Sequence, residues 1–119
     1  MGIQFSHCKA SWSYSGFMRF RERLAESIGM QLRKMPGFRD NQEEFAWEDY
    51  DDPIIPFLNH SDCDGVLTPE QCRTIAPRLR EIISTWEDNF ENSYDLEMAE
   101  ELIRGMEIAE KENENLQFR

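Results

Sequence analysis

The chain has 119 residues, of which 39% are hydrophobic and 31% charged, a length that bounds it to one domain over 1–119 and an apolar content too high for a disordered chain. No apolar run approaches the ~20 residues of a membrane span, no basic region followed by an apolar stretch opens the chain as a secretory leader would, and Cys8, Cys63 and Cys72 fit a reducing cytoplasm better than a disulfide scaffold. The net charge of −11 argues against direct nucleic-acid binding and for basic protein surfaces or divalent cations as partners.

In chain order, Ile3-Gln4-Phe5 alternates apolar and polar, a short-strand pattern that Leu116-Gln117-Phe118 repeats at the other end. The two trimers are expected to pair as a small ribbon tying the termini. Ser13-Tyr14-Ser15-Gly16 is turn-like and supplies hydroxyls for a helix N-cap. A helix is predicted over 16–28, with Phe17, Phe20, Leu24 and Ile28 on one face. Arg19, Arg21, Arg23 and Glu26 are expected to fall mostly off it. Gly29 is a natural stop. Asp52-Pro53 should start a short helix carrying Ile54, Ile55, Phe57 and Leu58. Thr68-Pro69-Glu70-Gln71 has the order of a capped helix start. That helix should reach about Trp86 along a stripe of Cys72, Ile75, Leu79, Ile82 and Trp86, with Pro77 kinking or resetting it. A last helix over 94–113 is predicted to bury Leu96, Ala99, Leu102, Ile103, Met106 and Ala109 beneath a glutamate-rich outer face. The class is therefore mainly α, a small single domain of three to four helices.

Residues 37–52 read as a long irregular loop, of the kind that in a compact domain serves a function or is locally disordered. From residue 42 onward it belongs to a block, 42–70, that holds nine acids and no Lys or Arg. Phe45, Trp47 and Tyr50 stand among Glu43, Glu44, Glu48, Asp49, Asp51 and Asp52. Aromatics supply buried area at an interface while charge steers the encounter, so these nine residues form a candidate partner-binding surface. The same aromatics would serve equally well as core.

His60-Ser61-Asp62-Cys63-Asp64-Gly65-Val66-Leu67-Thr68-Pro69-Glu70-Gln71 resembles an EF-hand calcium loop. With Gly65 at the sixth position of twelve, Asp62, Asp64, the Val66 carbonyl and Thr68 fall at ligand positions and Leu67 at the apolar eighth. His60 and Gln71 stand where the pattern has a carboxylate and a bidentate Glu. The resemblance therefore implies a helix–loop–helix and at most weak calcium binding. The alternative is a plain connector whose acids cap the next helix. Zinc is disfavoured. His60, Cys63 and Cys72, even with His7-Cys8 added, match no standard zinc module. Cys8 beside His7 is the one nucleophile–base candidate, and neighbours in a strand point to opposite faces. No phosphate loop, nucleotide fingerprint or Gly-x-Ser-x-Gly is present, and no catalytic residue is expected. The hydroxyl-rich Ser11–Phe17 stretch reads as a capping turn with core aromatics, or as part of a small-molecule pocket lined by His7, Trp12, Tyr14 and His60.

Phe5-Ser6-His7-Cys8, Ser11-Trp12-Ser13-Tyr14-Ser15-Gly16-Phe17 and Asn59-His60-Ser61-Asp62-Cys63-Asp64-Gly65 look like segments of small uncharacterised proteins of bacteria and their phages. That resemblance implies a bacterial cytoplasm and no particular activity. Together the readings favour a non-enzymatic acidic module, such as a phage-encoded inhibitor or modulator, docking on a basic and possibly nucleic-acid-binding host protein. The first alternative is an EF-hand-like metal module, the second a small-molecule pocket.

Overall fold

The Ser13 hydroxyl accepts the Gly16 N–H at 3.0 Å and so caps α1 (Tyr14–Ser27), the first helix of a computed structural model that describes residues 2–32, 50–59 and 65–118. The helix starts two residues before the expected position and stops short of Gly29. Phe17, Phe20 and Leu24 are buried on its inner face, and so is Arg21, only 2% exposed. The expected outward Arg21 is thus corrected. Four residues from Phe17, it shares that residue's stripe. Its guanidinium lies 4.9 Å from the Phe17 ring centre, and Nη1 donates to the Leu58 carbonyl at 3.4 Å.

Strand β1 (Gly2–Gln4) pairs antiparallel with β2 (Ser11–Ser13), Ile3 opposite Trp12. Next comes the short α2 (Ile55–Leu58), followed by β3 (Gly65–Leu67) and α3 (Pro69–Ile83). Helix α4 (Ser93–Glu112) leads to β4 (Leu116–Phe118), which pairs antiparallel with β3, Leu67 opposite Leu116. The chain ends are tied, but not by the ribbon predicted. Each terminal trimer takes an interior strand as its partner, and one bridge, Phe5 to Phe118, joins the two pairs. The Ser6 N–H donates to the Gln117 carbonyl at 2.9 Å, and the Gln117 N–H donates back to Ser6 Oγ at 2.8 Å.

Among the described residues the architecture is mainly helical, with α3 and α4 packed on each other and α1 and the two strand pairs around them. Phe5, Trp12, Phe17, Phe20, Phe57 and Phe118 form a continuous aromatic cluster. Trp12 stacks on Phe20 at 4.6 Å, and Phe5 meets Phe118 edge-on at 4.9 Å. Helix α3 begins with the predicted box, Thr68 Oγ1 accepting from Gln71 N and Gln71 Oε1 accepting from Thr68 N. It passes through Pro77 unbroken and ends at Ile83, three residues before the expected Trp86. Pro77 is exposed, so water can satisfy the Arg73 carbonyl deprived of its helical donor. None of the described helices is long and apolar enough to cross a membrane.

Candidate interaction surface

Trp86 lies beyond α3 and packs on α1 instead, its Nε1 donating to Ser27 Oγ at 3.0 Å and its ring 5.8 Å from Phe20. The Arg23 guanidinium sits 4.2 Å over that ring, a cation–π contact. Arg23 also reaches Asp95 Oδ2 at 3.1 Å and Asn92 Oδ1, while Trp12 Nε1 donates to Asp95 Oδ1 at 2.9 Å. The turn between α3 and α4 is therefore clamped at its base.

The turn is also bonded within itself. Asn92 Nδ2 donates to the Glu87 carbonyl at 2.7 Å, the Asn92 N–H donates to Asn89 Oδ1 at 3.0 Å, and Ser93 Oγ donates to the Phe90 carbonyl at 3.0 Å. At its tip Phe90 is 94% exposed. Glu87, Asp88 and Glu91 around it are exposed. An unburied phenylalanine forgoes ~1.5–3 kcal/mol of hydrophobic stabilisation, and here it is held on a braced turn. Tyr94, one helical turn further on, is 51% exposed and donates to the Ser11 carbonyl at 2.6 Å.

Of the nine residues expected at a partner surface, the structure describes Tyr50, Asp51 and Asp52. Glu43, Glu44, Phe45, Trp47, Glu48 and Asp49 lie outside the described residues. Tyr50 is partly buried against the core, and Asp51 is exposed. Asp52 turns inward, its side chain 15% exposed, and takes a bidentate pair from Arg78 with Nη2 at 2.8 Å and Nε at 3.0 Å. Its Oδ1 also accepts the Ile54 N–H at 3.0 Å. Burial would raise the Asp52 carboxyl, but the hydrogen bonds and charge of Arg78 and the Ile54 N–H together hold it below the usual carboxylate range.

Of the proposed calcium loop, His60, Asp62 and Asp64 lie outside the described residues. Gly65 has φ 135°, Val66 lies in β3 and is 42% exposed, and the Thr68 hydroxyl accepts the Gln71 N–H in the helix cap. The suggested small-molecule pocket does not assemble from its described members. Trp12 is buried in the aromatic cluster, Tyr14 is exposed on α1, and His7 lines a separate cleft. His7 engages Ser6 and Glu114, not Cys8, while the Cys8 thiol packs against Gly105 and is pushed up by burial. Cys72, at the floor of the α3–α4 groove, is pushed up to about 11 by burial.

Sequence reasoning missed Phe90. Glu87-Asp88-Asn89-Phe90-Glu91 repeats the acid-and-aromatic composition of 43–52 on a smaller scale, and that was the available signal. No protein-family model, curated protein or solved structure matches the chain.

Proposed function

We propose that the protein is a non-enzymatic binding module that docks the Phe90 turn into an apolar pocket rimmed by basic residues on a partner protein. The observation that carries this reading is the 94% exposure of Phe90 on a turn braced by Asn89, Asn92 and Arg23. A preorganised aromatic loses little freedom on docking and makes a strong anchor. The charge distribution supports it. Arg23 and Arg78 are used in internal pairs and Arg21 is buried, so these cations do little to offset the acids on the surface. Glu87, Asp88 and Glu91, with Glu97, Glu100, Glu107 and Glu110 on the outside of α4, form an acidic field that steers a basic partner. Control of a basic host protein, nucleic-acid-binding proteins included, is the form of this activity that the acidic field favours.

The test is a photo-crosslinking residue at position 90 in cells, followed by binding measurements on the purified crosslinked partner. Phe90→Ala should weaken that binding by at least about tenfold with its melting temperature unchanged, and added salt should weaken the wild type. A partner bound equally well by Phe90→Ala would refute the reading.

A further inference from the structure

Helix α4 ends on Asn113 in the left-handed conformation, φ 56° and ψ 46°, with Asn113 N–H bonded to the Glu110 carbonyl at 3.1 Å and Glu114 N–H to that of Ala109 at 2.8 Å. This reversal folds the chain back on the helix end, so Glu112 and Glu114, two residues apart, come to one place. His7 arrives there from the N-terminal end. One ligand-capable atom from each of His7, Glu112 and Glu114 lies within 4.8 Å of the other two, the one such trio of His, Cys, Asp or Glu among the described residues.

We propose that His7, Glu112 and Glu114 bind a divalent transition-metal ion of the zinc class. The set is mixed, one imidazole nitrogen and two carboxylate oxygens, which suits a borderline ion better than calcium. The histidine is oriented from outside the trio. Ser6 Oγ lies 2.7 Å from His7 Nδ1 and is itself fixed by the Gln117 N–H at 2.8 Å. Such an outer partner sets the tautomer of a metal-binding histidine. Without metal, Nε2–H donates to Glu114 Oε1 at 2.7 Å. With metal, the ring proton sits on Nδ1 and is donated to Ser6 Oγ, so the Nε2 lone pair faces the ion.

The space agrees. Tetrahedral zinc with bonds of ~2.1 Å needs ligand atoms roughly 3.4 Å apart, so the trio closes by side-chain rotation. A cleft of about 340 Å³ lined by Ser6, His7, Glu114, Asn115 and Gln117 leaves room for a completing water. The negative end of α4 adds to the attraction. The site lies at the far end of α4 from the Phe90 turn, where residues 6–7 meet the segment that follows the helix.

The experiment is a calorimetric zinc titration of the untagged chain, read together with NMR of the ring protons of His7 and His60, the chain's two histidines. The proposal expects one zinc per chain, with the His7 ring shifting and the His60 ring still. Glu114→Gln and His7→Asn should each weaken binding at least about tenfold, Asn being tolerated at the left-handed φ of 67°. Asp62→Asn/Asp64→Asn and Cys8→Ser should bind as wild type. Absence of zinc binding, calcium binding in its place, a shifted His60 ring, or affinity unchanged in Glu114→Gln would each overturn it. The wild-type NMR reading stands even if a variant fails to fold.

Discussion

Gly105 lies in the buried face of α4, where a Cβ would fall 2.8 Å from Cys8 Sγ and 2.9 Å from Cys8 Cβ. Glycine inside a helix costs about 1 kcal/mol relative to alanine, so Gly→Ala there ordinarily stabilises. Here the sign reverses, because Cys8 Cβ is attached directly to its backbone and the connection between β1 and β2 would have to move. Gly105→Ala should lower stability by about 1–3 kcal/mol in denaturant melts. Adding Cys8→Gly should return much of that loss, so the pair is non-additive. An increase in stability from Gly105→Ala alone would mean that the two elements do not meet this closely. Arg21 makes a related point. Its spacing from Phe17 put it on the buried stripe, and only its charge argued otherwise. A carbonyl and an aromatic face receive that charge, an outcome visible only once α2 is beside α1.

At the scale of elements, local signals were legible where they were local. Ser13 and Thr68 cap as their side chains suggest, and the apolar stripes at 17–24, 72–82 and 99–109 are the buried ones. Thr68→Ala should cost about 1 kcal/mol, since it breaks one half of the capping box; urea melts would show it, and a loss below a few tenths would mean that Pro69 alone sets the helix start. The strand pairings were not legible. Trimers carry too little pattern to choose a partner, and the choice is made by tertiary position, with Ile3 facing Trp12 and Leu116 facing Leu67. The end of α3 was misplaced for a similar reason. Trp86 continues the helical spacing, yet Ser27, Phe20 and Arg23 of α1 offer it a better-packed place. The His7, Glu112 and Glu114 trio was hidden too, because it depends on the Asn113 reversal and on the meeting of chain ends.

At the scale of the whole molecule, an excess of acid has to be reconciled with a stable fold, and the pairing of Asp52 with Arg78 shows one way this is done. The pair holds the start of the α2 segment to α3 through a bidentate contact. It keeps Arg78 protonated even more firmly than an ordinary arginine. Because the Asp52 carboxyl is depressed in the folded chain, the pair contributes stability that is fully present above the unfolded carboxylate value near pH ~4. That contribution is lost as pH falls through the lower folded value. Asp52→Asn keeps an oxygen able to accept the Ile54 N–H and removes the charge, so it isolates the ion pair. At pH 7 it should cost about 1–3 kcal/mol. The gap between wild type and Asp52→Asn in urea melts should shrink as pH drops below about 4. Repulsion among the remaining acids is nearly the same in both chains and cancels in that difference. A gap that stays constant through the acid limb would place the effect of the substitution in packing, and the acid sensitivity of the fold would then have to come from its other carboxylates.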